Sequence, residues 1–123
     1  MASQRFRNFA CTVYPDSAPD NWVDILADTH VPAFISPLHA FDVNPDGQLK
    51  KSHWHVLVMF EGVKSKDQWL EFRASFSGVG CEIVQSVRGY ARYLCHMDNP
   101  EKYQYNPVEV QALSGAEIGR AHV

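Results

Sequence analysis

The stretch KKSHWHVLVMF, residues 50–60, decides how this chain is read. Histidines at 53 and 55 flank a tryptophan and lead into five apolar residues. On a strand, alternate residues face the same side. His53, His55, Leu57 and Met59 therefore share one face, and Trp54, Val56, Val58 and Phe60 share the other. The second set is large and apolar, so it faces the packed core. The histidines then belong to the open face. Two imidazoles at i and i+2 stand about 6–7 Å apart at the backbone, close enough for both rings to converge on one ion.

Working upstream, NPDG at 44–47 is a turn, with Gly47 supplying a positive φ. FISPLHAFDV, residues 34–43, reads as the partner strand, with Pro37 placing it at an edge or a bulge. Residues 34–60 thus form a β-hairpin that Gly62 ends. A turn centred near Asp46 and Gly47 puts His39 opposite residue 54, between the two histidines. Three neutral imidazoles plus the carboxylate of Asp42 make a divalent-metal site with open positions. Asp42 lies three residues from His39, against strand parity. It touches the ion only if the strand bends there; the competing reading has it orienting an imidazole.

The rest of the chain supplies the frame. Residues 6–14 read as a strand, followed by a helix in 21–30 capped by Asp20. Ser65 caps a second helix over 66–76, with Trp69, Phe72 and Phe76 at helical spacing. A fourth strand covers 81–85, and a third helix covers 86–97 until Asp98-Asn99-Pro100 stops it. Pro107 opens a last short helix, VEVQAL. The order β-α-β-β-α-β-α predicts a four-stranded antiparallel sheet with helices on one face and a site on the other.

The third helix carries an apolar stripe of Val87, Ala91 and Leu94, with Tyr90 at its border. Tyr93 lies about 200° around the axis from Ala91, off the stripe. On a helix that crosses the histidine face, it is a candidate nucleophile. Arg92 and His96 sit one turn apart, and either could contact phosphate; for His96 the stronger reading is a C-terminal residue favourable to the helix dipole.

Composition narrows the classes. The chain has 123 residues, 46% hydrophobic and 20% charged, which suits one globular domain with its own core. No apolar run approaches the ~18 residues of a membrane helix, and the N-terminus does not resemble a signal peptide. A cytoplasmic protein is expected. Cys11, Cys81 and Cys95 are odd in number and form no CxxC pair, against a zinc ribbon or a disulfide framework. The net charge of −3 argues against a general grip on duplex DNA, but a short single-stranded target needs only a local basic track. Arg5 and Arg7, Lys50 and Lys51, Lys64 and Lys66, and Arg88 and Arg92 are such clusters.

Several segments together resemble one family. HWHVLV resembles the histidine-hydrophobic-histidine motif of the HUH endonuclease superfamily. RFRNFACTVYPDS is similar to the first motif of rolling-circle plasmid replication initiators, and YLCHMDNPEKYQY to their third. HAFDVNPDG resembles the segment that supplies added histidine and aspartate ligands in the streptococcal-plasmid branch. The matches span residues 5–105 in the expected order. The resemblance implies an α+β, ferredoxin-like or RRM-like sandwich with a four- to five-stranded antiparallel sheet. It implies Mn²⁺ or Mg²⁺ held by His39, Asp42, His53 and His55, and Tyr93 as the nucleophile. The implied reaction nicks single-stranded or hairpin origin DNA in the bacterial cytoplasm, leaving a 5′-phosphotyrosine and a 3′-OH that primes replication. Arg5, Arg7, Lys50, Lys51 and Arg92 are the candidate DNA contacts. Residues 1–113 would form the endonuclease domain and 114–123 a flexible tail, with oligomerisation left to a longer parent protein.

The chemistry is coherent on its own terms. A phenol with a pKa near 10 is a poor nucleophile at pH 7, and a nearby cation favours the phenolate. Two other readings stand beside it: a non-catalytic ferredoxin-like nucleic-acid binding module with structural histidines, and a metal-dependent hydrolase that activates water.

Overall fold

The apolar face of the HWHVLVMF strand organises the structure. In the computed structural model, which describes residues 4–117, this strand is β3 (Trp54–Ser65). It lies at the centre of a five-stranded antiparallel sheet in the order β4-β1-β3-β2-β5. Its neighbours are β1 (Arg5–Val13) and β2 (Ala33–Ile35), with β4 (Val79–Ile83) and β5 (Gln111–Leu113) at the edges. The period-2 assignment of faces holds. Val56, Val58 and Phe60 join Phe9, Cys11, Val13, Ala33 and Ile35 in one core. The helices α1 (Trp22–Ala27) and α2 (Lys66–Ala74) close that core through Trp22, Leu26 and Trp69. Trp69 is fully buried and stacks on Phe9 with ring centroids 5.0 Å apart. Truncating such a residue to alanine typically costs about 3–5 kcal/mol.

The opposite face is covered only in part. α3 (Val87–Tyr93) crosses it and buries Tyr90 and Leu94 against Ala10, Phe34 and Leu57. The helices thus divide, α1 and α2 on one face and α3 on the other. The histidines share the α3 face. Ala116 is buried in the same cluster; residues 118–123 of the expected tail lie outside the described residues.

Local signals succeed and fail for identifiable reasons. Ser65 forms a full capping box with Gln68, as its position before the α2 pattern predicts. Asp20 does not cap α1: Asn21 holds that position and its side chain makes no capping bond. Gly62 does not end β3, because pairing with Arg5 and Phe6 carries the strand to Ser65. α3 ends at Tyr93, earlier than residue 97. His96 takes a left-handed φ of 60°, and the bonds Met97 N to Arg92 O (3.1 Å) and His96 N to Tyr93 O (3.0 Å) close a Schellman turn. Pro107 opens a helix only one turn long. Pro107–Glu109 form one 3-10 turn, and 111–113 become β5, drawn onto the free edge of β2.

The partner strand of the hairpin is also shorter than the 34–43 stretch. β2 pairs with β3 through Ile35↔Val56, and pairing resumes at isolated bridges His39↔His53 and Val43↔Leu49. Three residues, Ser36, Pro37 and Leu38, therefore oppose two, Trp54 and His55. This is a β-bulge. Proline has no N–H to give a ladder; next to it, Ser36 N donates to His55 O (2.9 Å) and the Ser36 hydroxyl accepts from His55 N (2.9 Å). The bulge shifts parity by one. It turns His39 from the helix-covered face onto the histidine face, opposite His53 rather than residue 54.

Candidate metal centre and tyrosine

β3, the bulge and the hairpin's loose arm bring four side chains to one point. One ligand atom each from His39, Asp42, His53 and His55 lies within 4.8 Å of the others. The backbone leaves strand geometry after His39, and this lets Asp42 reach the group despite its parity. Its Oδ2 stands 3.0 Å from His39 Nδ1 and 3.5 Å from His53 Nε2.

The hydrogen bonds fix the tautomers. His39 Nε2 lies 2.7 Å from Leu94 O, and a carbonyl only accepts, so the ring proton is on Nε2. His53 Nδ1 donates to Lys51 O at 2.7 Å, which turns Nε2 toward Asp42. Burial pulls the His39 pKa down against the pull of Leu94 O and Asp42, so the ring is neutral at pH 7. His55 falls to about 3, through burial first and the neighbouring His39 and His53 second. Asp42 stays ionised: burial opposes its charge, but the hydrogen bond from the Tyr105 hydroxyl helps hold the carboxyl below its ordinary value. With Nε2 turned to Leu94 O, His39 Nδ1 and Asp42 Oδ2 thus face each other at 3.0 Å. That pairing fits a shared cation, and neutral imidazoles with one carboxylate are a donor set for a divalent metal. Backbone carbonyls on the distal ring nitrogens are the outer shell such ligands use.

Tyr93 faces this cluster from the end of α3. Its ring centroid is 5.4 Å from that of His55, edge to face, and Lys102 Nζ lies 5.7 Å from its centre. Burial, then Glu82 and Asp42, raise its pKa, so the phenol holds its proton unless a cation offsets those charges. Tyr90 is more deeply buried, against the sheet, and its pKa is raised further. The two tyrosines are thereby told apart. Tyr93 borders a cleft of about 150 Å³ shared with Asp42, His53, His55 and His96.

The candidate DNA contacts separate. Lys50 borders the cleft, and Lys51 lies beside it, over the Tyr14 ring and 3.0 Å from Asp16. Arg5 and Arg7 sit at the other end of β1, where Arg5 pairs with Ser65; Thr12 is the residue opposite His55. Five residues of strand put Arg7 about 17 Å from Thr12. Arg92 is next to Tyr93 in sequence, but its guanidinium is held in a bidentate pair by Asp98.

The sequence assigns no role to Tyr105 and offers His96 only as a phosphate contact or a dipole partner. His96 is buried rather than a dipole partner at the surface. Its Nδ1 donates to Tyr103 O (2.9 Å), and its ring stands 4.8 Å from His39 and 5.7 Å from Tyr93. Its left-handed backbone, uncommon without glycine, is a signal that only coordinates reveal. Tyr105 lies flat on His39 and donates to Asp42 Oδ1 (2.6 Å).

Comparison with known proteins gives the chain a family. The family described as "plasmid replication protein, origin binding domain" matches residues 1–119. The chain belongs to that family. As a plasmid origin-binding domain it bears out the resemblance to replication initiators. It is 44% identical to the replication protein RepB of Lactiplantibacillus plantarum over 115 residues, covering 94% of this chain and 52% of that protein. It is 35% identical to a replication protein of Staphylococcus aureus, covering 94% of this chain and 58% of the relative. A RepB of Streptococcus agalactiae is 31% identical, with 62% of its length covered. This origin-binding domain thus spans little more than half the length of the curated relatives it matches. Among its described residues no helix is long and apolar enough to cross a membrane.

Proposed function

We propose that this chain is a site-specific single-strand DNA endonuclease and strand transferase. It nicks a plasmid origin, keeps the 5′ end on Tyr93, and leaves a 3′-OH that primes rolling-circle replication in the bacterial cytoplasm. The observation that carries this reading is the Tyr93 ring 5.4 Å from His55, beside a four-ligand cluster, in a plasmid origin-binding domain.

His39, Asp42, His53 and His55 would hold the ion, Mn²⁺ or Mg²⁺. When bound, it supplies Lewis-acid polarisation of the scissile phosphate and favours the phenolate. The chain's own residues do the rest. The Tyr93 Oη–P bond forms as the P–O3′ bond breaks; the phenol proton leaves to solvent and the departing 3′ oxygen takes one up. The phosphotyrosine conserves the bond energy, so the 3′-OH can attack it and rejoin the strand without ATP. Lys50, Lys51 and Lys102 supply positive charge around the cleft for the strand's phosphates.

Denaturing gels of the protein with single-stranded origin oligonucleotides and Mn²⁺ test this. A band shifted by covalent attachment, absent with EDTA and absent in Tyr93→Phe, is expected. Free cleavage products without an adduct would instead establish hydrolysis by water. Binding with no cleavage would leave a non-catalytic module.

A further inference from the structure

Two aromatic side chains at the rim of the cleft have no role in holding the cluster. Phe41 is 55% exposed and Tyr103 51% exposed. Their rings lie 4.8 Å apart, tilted by 31°. Tyr103 continues inward to Tyr105 (4.8 Å), and Tyr105 stacks on His39 at 4.2 Å. The row Phe41-Tyr103-Tyr105-His39 thus runs from solvent to the ligand cluster.

The backbone ties this row to the chemistry. The Tyr105 hydroxyl accepts from Phe41 N (3.1 Å) while donating to Asp42 Oδ1 (2.6 Å). Tyr103 O accepts from His96 Nδ1. Lys50 and Lys102 line the same cleft as the two exposed rings. Exposed aromatic faces flanked by ammonium groups suit one ligand class in particular, an unpaired nucleotide, whose base stacks while its phosphates meet the lysines.

We infer that Phe41 and Tyr103 form a stacking site for an unpaired base adjacent to the phosphate that Tyr93 attacks. The inference rests on the nicking function proposed above and deepens it, by giving the site a preference for single over double strands. A base in a duplex has its faces covered by its neighbours; one drawn against Phe41 must leave the stack. With the base fixed, the neighbouring phosphate is held at a set distance from Tyr93. Phe41 and Tyr103 are positioning residues in this scheme, not catalytic ones.

The test uses a twelve-nucleotide thymidine strand with one central 2-aminopurine, in Mn²⁺, with binding followed by anisotropy and stacking by quenching of the purine. Wild type should quench it, and should bind the single strand more tightly than the same sequence as a duplex. Phe41→Ala and Tyr103→Ala should each weaken binding by about fivefold to a hundredfold and relieve the quenching, with Tyr103→Phe close to wild type. Both side chains are half exposed, and unchanged Mn²⁺ titrations and melting temperatures will show that fold and cluster persist. Equal affinity and equal quenching in wild type and both alanine variants would overturn the inference, as would tighter binding of the duplex. None of these readouts needs cleavage. An adduct that forms equally well without Phe41 and Tyr103 sinks this inference alone, whereas stacking without any adduct sinks the nicking function alone.

Discussion

Tyr105 lies on His39 with ring planes 6° apart, and its hydroxyl holds the outer oxygen of Asp42 at 2.6 Å. One side chain thus sets the position of two of the proposed ligands. It leaves Asp42 Oδ2 free to face His39 and His53. Tyr105→Phe keeps the stack and removes only the hydrogen bond. Loss of an outer-shell partner of this kind typically costs about 10–100-fold in metal affinity. Mn²⁺ titration followed by electron paramagnetic resonance should show a weaker site of that order, with the melting temperature of the metal-free protein little changed. Unaltered Mn²⁺ affinity would mean that Asp42 needs no orienting.

Tyr90 and Tyr93 are one helical turn apart, and their surroundings differ. Tyr90 packs in the cluster with Phe34 and Leu57; Tyr93 borders the cleft. Tyr90→Phe should therefore form the same covalent adduct with an origin oligonucleotide as wild type, in yield and in metal dependence. Peptide mapping of that adduct should place the nucleotide on Tyr93. An adduct lost in Tyr90→Phe but kept in Tyr93→Phe would reverse the assignment.

Period-2 alternation on 53–60 suffices to read the face on which His53 and His55 lie, because a buried strand face tolerates no register slip. The capping box at Ser65 is equally local. What could not be read is whatever depends on distant partners. Pro37 hints at irregularity, but whether one residue or two is inserted decides which way His39 points. β5 is three residues long and exists only because β2 offers it an edge. Tyr105 acts on Asp42 from 63 residues away, and His39 takes its tautomer from Leu94 at a separation of 55. No local pattern encodes these contacts. The hairpin and the helical period already offer Asp42 and Tyr93 to the histidine face, and the resemblance to a known motif family adds that they would serve one reaction.

The three cysteines should differ sharply in reactivity. Cys11 is buried between β1 and α2, and burial raises its thiol from 9.0 to about 12, with Arg73 opposing. Cys95 is also buried and raised, while Cys81 is exposed on β4. A disulfide reagent at pH 8 should titrate one thiol rapidly in the native protein, and mapping should find it at Cys81. Between pH 9 and 12 the folded state retains the Cys11 proton that the unfolded chain loses. The native state then binds more protons, and stability falls as pH rises through that window. Urea midpoints should drop more between pH 8 and 10.5 in wild type than in Cys11→Ala. Parallel drops would show that Cys11 contributes nothing to the alkaline limit.

Ser36 connects the fold to the site. It stands in the bulge where three residues oppose two, and its hydroxyl accepts the His55 N–H at 2.9 Å while donating to Pro37 O at 2.8 Å. Ser36 is buried, so no water stands ready to replace the hydroxyl. Ser36→Ala leaves the amide of a ligand residue without its acceptor, at a cost of about 1–3 kcal/mol. The same change frees the bulge that points His39 at His53. Two effects should therefore travel together: a lower urea midpoint without metal, and a Mn²⁺ affinity reduced beyond what the lost stability explains. Calorimetric titration at a temperature where the variant is fully folded separates them, because any loss there reflects misplaced ligands rather than unfolded protein. A variant that is less stable yet binds Mn²⁺ as wild type would show that the bridge His39↔His53 alone fixes the geometry, and that the bulge needs no hydroxyl to keep its parity.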